Sequence, residues 1–251
     1  MADSVMNPKM NPDLSNPELL AALDAKRQAV VETLGLACEL LPSVSFASSL
    51  GAEDMVLTEI ILKAHLPIRI FSLDTGRLPP ETYDLIGEIE RHYGHRIELY
   101  LPEREAVEAY VRKFGVNGFY ASLEARHACC GLRKLEPLRR ALAGQAAWIT
   151  GQRAAQSITR ARLPIREWDA EHGLEKLNPL ADWSEREVWG FIRLHRVPYN
   201  RLHDRGYPSI GCAPCTRAIS VGEDVRAGRW WWEDAGNREC GLHRQTPAVS
   251  H

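Results

Sequence analysis

From about residue 44 onward this chain alternates short β-branched runs with amphipathic stretches, and few folds accept that pattern. It is the signature of parallel strands joined by crossover helices. Residues 44–47 read as a strand that meets the polar turn Ser48-Ser49-Leu50-Gly51-Ala52-Glu53-Asp54. Residues 55–65 then carry Val56, Ile60 and Ile61 at helical spacing until Pro67 stops the helix. A second strand at 68–73 leads through Leu73-Asp74-Thr75-Gly76-Arg77 into a helix over 80–93, with proline at its start, where the missing N–H is harmless. The unit repeats as a strand at 96–101, a helix at 103–114 and a strand at 146–150 that ends in Gly151-Gln152-Arg153. One more strand is expected at 177–180, and Ser184 with Glu187 has the form of a capping box opening a helix to about His195.

Three divisions follow. Residues 1–17, rich in Asn, Pro, Met and Ser, read as a mobile tail, with folding starting near Pro17. Residues 18–205 form one α/β domain, which suits a chain of 251 residues that is 45% hydrophobic. Residues 206–251 have little periodicity and read as an appended segment.

Charge narrows the function. A formal net charge of -2 argues against nucleic acid as a partner. Small anions remain open, since 25 of the 31 basic residues are Arg, whose planar fork matches phosphate or sulfate oxygens. No apolar run approaches the roughly 20 residues that cross a bilayer, and the N-terminus lacks the apolar core of a secretory signal. The expectation is a cytoplasmic protein with no membrane partner. In a reducing compartment its six cysteines point to metal or redox chemistry rather than disulfides.

The strand, Ser-Ser-Leu-Gly-Ala-Glu-Asp, helix arrangement puts small residues and free backbone N–H groups at a helix N-terminus, where an anion is favoured. In open parallel sheets ligands sit at the carboxyl ends of the strands, where this loop, Leu73 to Gly76, and Gly151 to Arg153 all fall. The loop matches neither common nucleotide fingerprint, and taken alone it reads more simply as an ordinary capped strand-to-helix turn.

Cys129-Cys130 and Cys212-Ala213-Pro214-Cys215 supply four thiols in two pairs. Four thiolates suit structural zinc or an iron-sulfur cluster. Directly adjacent cysteines crowd a single ion but fit a cube whose iron corners each need one ligand. The cluster is therefore favoured, with zinc, two disulfides or four unrelated buried thiols still open. Cys38 lies in an apolar run and reads as a small buried residue, while Cys240, beside Gly241 and near His243, is either incidental or an activated nucleophile.

At this point the residues resemble a known family, the assimilatory adenylyl-sulfate (APS) reductases, cluster-bearing relatives of the phosphoadenylyl-sulfate (PAPS) reductases. The resemblance spans roughly residues 40–244 and rests on SSLGAEDMVL at 48–57, LDTGR at 73–77, CCGLRKLEPL at 129–138, GQRAAQSITRAR at 151–162, PYNRLHDRGYPSIGCAPCTR at 198–217, RAGRWWWE at 226–233 and ECGLH at 239–243. It implies a Rossmann-like parallel sheet of the adenine-nucleotide α-hydrolase type with a C-terminal catalytic tail. It also implies one 4Fe-4S cluster per chain on Cys129, Cys130, Cys212 and Cys215, and Cys240 as the nucleophile. The implied reaction converts APS and reduced thioredoxin to sulfite, AMP and oxidised thioredoxin, in sulfate assimilation and cysteine biosynthesis.

Substrate contacts are expected at Ser48, Ser49, Gly51, Asp54, Leu73 and Thr75, and in a cationic set of Lys134, Arg153, Arg160, Arg226 and Arg229, with His243 available to activate Cys240. Arg153 and Arg160 read equally as surface ion pairs, and Trp230, Trp231 and Trp232 as packing that seats the tail. Ser-Leu-Gly replaces the Ser-Gly-Gly of ATP-splitting relatives, which favours gripping an adenylyl sulfate over hydrolysing ATP. PAPS or dual APS/PAPS reduction and a zinc-stabilised nucleotide-binding module are the rival readings. Family members are commonly oligomers, so a homo-oligomer fits the resemblance.

Overall fold

The computed structural model describes residues 10–156, 163–220 and 222–234. The chain opens with a long helix α1 (Pro17–Leu40), whose N-cap Asn16 accepts from the N–H groups of Glu18 and Leu19. The alternation follows as β1 (Val44–Ala47), α2 (Ala52–Lys63), β2 (Arg69–Leu73), α3 (Pro80–Tyr93), β3 (Glu98–Tyr100) and α4 (Arg104–Phe114). Next come α5 (Leu123–Cys130), α6 (Glu136–Leu142), β4 (Ala147–Ile149), β5 (Arg166–Asp169), β6 (Leu174–Leu177) and α7 (Glu185–His195). Both bonds of the expected capping box are present, Glu187 N–H to Ser184 Oγ and Ser184 N–H to the Glu187 carboxylate.

The six strands form one sheet in the order β3-β2-β1-β4-β6-β5. All pairings are parallel except β5 with β6. The chain moves outward from β1 to β3, then returns to the other side of β1 with β4. That reversal leaves a crevice at the carboxyl ends of β1 and β4, the place where open α/β sheets bind ligands.

Side-chain alternation builds two cores from adjacent residues. Ile70 and Ile149 join the large core with Phe46, Leu57 and Val188 beneath α1, α2 and α7, whereas their neighbours Phe71 and Trp148 pack with Leu138, Ala141 and Leu142 of α6. Met55 to Leu57 together with Ile60 and Ile61 are buried all round α2, so that most of this helix lies inside, with Lys63 exposed at its end.

Several expectations are corrected. Residues 10–16 belong to the body of the protein rather than to a mobile tail: Met10 is buried in the main core and its carbonyl accepts from Arg193 Nε. The last parallel strand ends at Leu177 instead of running over 177–180. Asn178 and Pro179 start a turn closed by Ala181 N–H on Asn178 O, and proline has no ladder donor to offer. The hairpin strand β5 and the α5–α6 region were not anticipated. Cys38 is half-buried against the main core. Among the described residues no helix is long and apolar enough to cross a membrane.

Candidate active site

Ser48, at the end of β1, donates its N–H to Phe71 O on the neighbouring strand, which fixes the loop to the sheet. Leu50 turns the chain through a left-handed conformation (φ 62°), and Gly51 starts α2. Asp54, in the first turn of α2, accepts from both the N–H and the Oγ of Ser49 at 2.6 Å. Leu50 N–H goes to Ser48 Oγ at 3.2 Å. Two N–H groups expected to face an anion are thus used to build the loop. Gly151 lies directly on this carboxylate, since a Cβ there would stand 2.1 Å from Asp54 Oδ1. Burial raises the Asp54 pKa to about 7, against the opposing effect of the Ser49 and Gly151 hydrogen bonds and with the help of neighbouring Glu53.

Arg153 is buried rather than presented on a surface. Its Nε donates to Glu53 Oε1 at 2.8 Å, and its Nη1 to Trp183 O at 3.1 Å. It therefore ties the end of β4 to the start of α2. Asp74, after β2, accepts from Gly76 N–H and from Tyr83 OH at 2.8 Å each, while Gly76 takes the left-handed conformation this turn requires (φ 68°). Leu73 is half-buried at the end of β2, and Thr75 faces the cysteines.

The two cysteine pairs meet beside β2. Cys129 and Cys130 occupy the last turn of α5, which runs into α6 through one π-helical stretch, Gly131–Leu135. Cys212 and Cys215 flank a short turn held by Ala213 N–H on Arg77 O at 2.8 Å. All four thiols line one cavity, together with Arg77, Arg126, Arg133, Lys134 and Trp230. Cys212 Sγ is 3.3 Å from Thr75 Oγ1, and Arg133 Nη1 donates to Thr75 O at 2.5 Å.

Electrostatics separates the four. Burial pushes the Cys212 thiol up, but Lys134, Thr75, Arg229 and Arg133 outweigh burial and bring it below its ordinary value. Cys215 is pushed up to about 12 by burial and by the charge of Cys212, and Cys129 is raised by burial. Four thiols cannot all ionise in one cavity without added positive charge. Among the described residues no three His, Cys, Asp or Glu side chains are arranged to hold a single metal ion.

Of the cationic set, Lys134 and Arg229 are at the cysteines: each lies over the Trp230 ring, at 6.0 and 4.7 Å from its centre. Arg229 Nη1 also bonds Ser209 Oγ and Ile210 O at 3.3 Å, and its guanidinium lies so close to Gly211 that a Cβ there would be 2.2 Å from Nη2. Arg226 sits half-buried in a turn, its N–H on Asp224 Oδ1. Trp230 is buried in the cavity wall, whereas Trp231 is exposed. Arg160, Cys240 and His243 lie outside the described residues. Sequence reasoning did not single out Arg126 and Arg133. Their signal is helical spacing: Arg126 stands four residues before Cys130 and Arg133 four after Cys129, and each meets that thiol.

Comparison with known proteins adds the family. The family profile described as phosphoadenosine phosphosulfate reductase domain matches residues 43–218. The adenosine 5'-phosphosulfate reductase of Allochromatium vinosum is 65% identical over 240 residues, covering 96% of this chain and 92% of that protein. That of Burkholderia cepacia is 53% identical, covering 92% and 90%. Among solved structures, the PAPS reductase of Candida auris, a phosphate complex, superposes with a TM-score of 0.66 at 28% identity, over 78% of this chain and 96% of that one. The FMN adenylyltransferase of Candida glabrata, at 17% identity and a TM-score of 0.55 over 93% and 76%, shares the fold.

Proposed function

Because the chain belongs to the phosphoadenosine phosphosulfate reductase family and is similar along most of its length to adenosine 5'-phosphosulfate reductases, we propose that it reduces APS to sulfite with release of AMP. The observation that carries this reading is the meeting of Cys129, Cys130, Cys212 and Cys215 in one cation-lined cavity beside the carboxyl end of β2.

The donor set fits a 4Fe-4S cluster: four thiols on two separate backbone segments, with Lys134, Arg133 and Arg229 lowering the charge penalty at Cys212. When bound on Cys129, Cys130, Cys212 and Cys215, such a cluster would supply fixed charge at this cavity and would tie the end of α5 to the Cys212–Cys215 turn. The adenylyl group belongs in the crevice of the Ser48–Asp54 loop, Leu73 to Thr75 and Gly151, with its sulfate toward Lys134, Arg226 and Arg229. Arg153, held by Glu53, supports the crevice from behind. Arg160 belongs to the same cationic set by its place in the GQR segment.

In the proposed reaction the Cys240 thiolate attacks sulfur, a sulfur-sulfur bond forms, and the bond to the phosphoryl oxygen breaks as AMP leaves with the electron pair. A free thiol is only a few per cent ionised at neutral pH, so positive charge near the sulfate, with His243 in the same segment, is needed to favour the anion. A thioredoxin thiolate then attacks the Cys240 sulfur of the S-sulfocysteine, expelling sulfite. The second thioredoxin thiol resolves the mixed disulfide and restores Cys240. Both electrons come from thioredoxin thiols, which places the reaction in a reducing compartment such as the cytoplasm. Steady-state sulfite release from APS against PAPS, with purified protein and reduced thioredoxin, tests the reading. Preference for APS supports it, and turnover of PAPS alone overturns it.

A further inference from the structure

A cavity of about 250 Å³ opens where the last turn of α7 meets Glu88 of α3 and the segment 197–201, and it shares no residue with the crevice or the cysteine cavity. Arg193, Arg196 and Arg201 line it, and Glu88 is the one carboxylate in the lining. Arg193 is fixed: its Nε donates to Met10 O at 3.1 Å and its Nη1 to Tyr199 OH at 2.9 Å. Its Nη2 stands 4.0 Å from Asp204, beyond hydrogen-bond reach. Arg201 lies over the Tyr199 ring, 4.9 Å from its centre. It is 3.8 Å from Glu88 and 4.0 Å from Asp204, so it hydrogen-bonds neither. Arg196 caps α7 in the left-handed conformation (φ 53°), a place where glycine costs less. Its side chain is exposed and has no hydrogen bond or ion pair among the described residues.

The charge in this cavity is partly balanced, but its donors are not used. Tyr199 OH donates to Asp204, 3.0 and 3.1 Å from the two carboxylate oxygens, which holds that carboxylate back from the arginines. With Arg193 anchored and Arg201 stacked, little side-chain freedom is lost when an oxyanion arrives. Three guanidiniums from separate positions match the three free oxygens of a phosphate monoester better than the two of a carboxylate. Ile192, Val197 and Pro198 add apolar wall, and the cavity exceeds what a bare oxyanion fills. We propose that this cavity binds a phosphate monoester with a short carbon chain, its phosphate on Arg193, Arg196 and Arg201 and its chain against Val197 and Pro198. The site is independent of the reaction proposed above.

The test titrates the full chain with glycerol 3-phosphate, inorganic phosphate and sulfate by calorimetry, and follows amide exchange over residues 192–201. Expected are slower exchange there and tighter binding of the ester than of either inorganic ion. Arg196→Ala and Arg201→Ala should each weaken the ester by about tenfold or more at nearly unchanged melting temperature, as the loss of a charge-assisted contact implies. Arg201→Lys keeps the charge but loses the fork, and should fall between. Glu88→Gln removes the carboxylate that competes for Arg201, and should tighten binding. Unchanged exchange at 192–201, an ester that binds no tighter than the inorganic ions, or wild-type affinity in both alanine variants overturns the proposal. Weaker binding in Glu88→Gln overturns it as well.

Discussion

The two ends of the crevice proposed for the substrate use their charges in opposite ways. At the β1 and β4 end the charges are spent on the protein itself: Asp54 holds Ser49, and Glu53 holds Arg153. At the cysteine end, Lys134, Arg133 and Arg229 act on the Cys212 thiol. The first end is a preformed shape that recognises by fit, and the second is a charge field that favours anionic sulfur. The proposed substrate, with a nucleotide at one end and a sulfate at the other, would use both.

The sharpest break of this comparison removes the sulfur chemistry and leaves the shape intact. Cys240→Ser should retain iron and bind APS, yet take up no label from sulfur-labelled APS, because a hydroxyl has no accessible anion at neutral pH. Label on another cysteine, or persistent turnover, would contradict it. Replacing Cys129, Cys130, Cys212 or Cys215 with Ser should abolish sulfite release and also lower iron and labile sulfide, from roughly four each per chain. Full iron retention in all four variants would disprove the ligand set.

Next in size come the cations. Lys134→Ala, Arg226→Ala and Arg229→Ala should each lower kcat/KM by one to two decades, since a charge-assisted contact contributes about 1.5–3 kcal/mol. Lys134→Ala should do so with a smaller change in melting temperature than Arg229→Ala, because Arg229 also holds Ser209 and Ile210. Equal kcat/KM in all three would move the charge field elsewhere. At the shape end, Gly151→Ala pushes a methyl group onto Asp54, and overpacking of this kind costs about 1–3 kcal/mol. Denaturation should show that loss, and APS affinity should fall with it as the Ser49–Asp54 loop shifts. Unchanged stability would mean that the loop yields easily and is not the rigid partner in the comparison.

The same contrast explains what the sequence reveals. Strands β1, β2 and β4, helix α3 and the Ser184 cap are legible because periodicity and end signals are local. Helix α1 hides behind its uneven exposure, with Leu36 and Leu40 left on the outside. The paired cysteines are legible by type and spacing alone. Arg153 and Arg126 are not, because whether a guanidinium meets Glu53, Glu233 or a ligand depends on partners about a hundred residues away. Sequence reasoning finds the residues able to carry charge, and only the fold shows which of them are already committed.

The last expected effect shows itself only through its pH dependence and concerns the protonation of Asp54. Its folded pKa, about 7, lies above the ordinary 3.8 of the unfolded chain. Between those values the unfolded state binds fewer protons than the folded one, so the Asp54 contribution to stability falls as pH rises from about 4 to about 7 and then levels off. Asp54→Asn has no proton to lose. At pH 4 the neutral acid and the amide should differ by only about 1 kcal/mol, whatever is lost in the hydrogen bonds to Ser49 and Gly151. The variant should gain on wild type as pH rises to 7. The difference between the two proteins is the quantity to follow, because acid effects common to both cancel. A difference that stays flat from pH 4 to 8 would show that Ser49 and Gly151 hold the carboxylate ionised throughout despite its burial, and the shape end would then carry a permanent negative charge of its own.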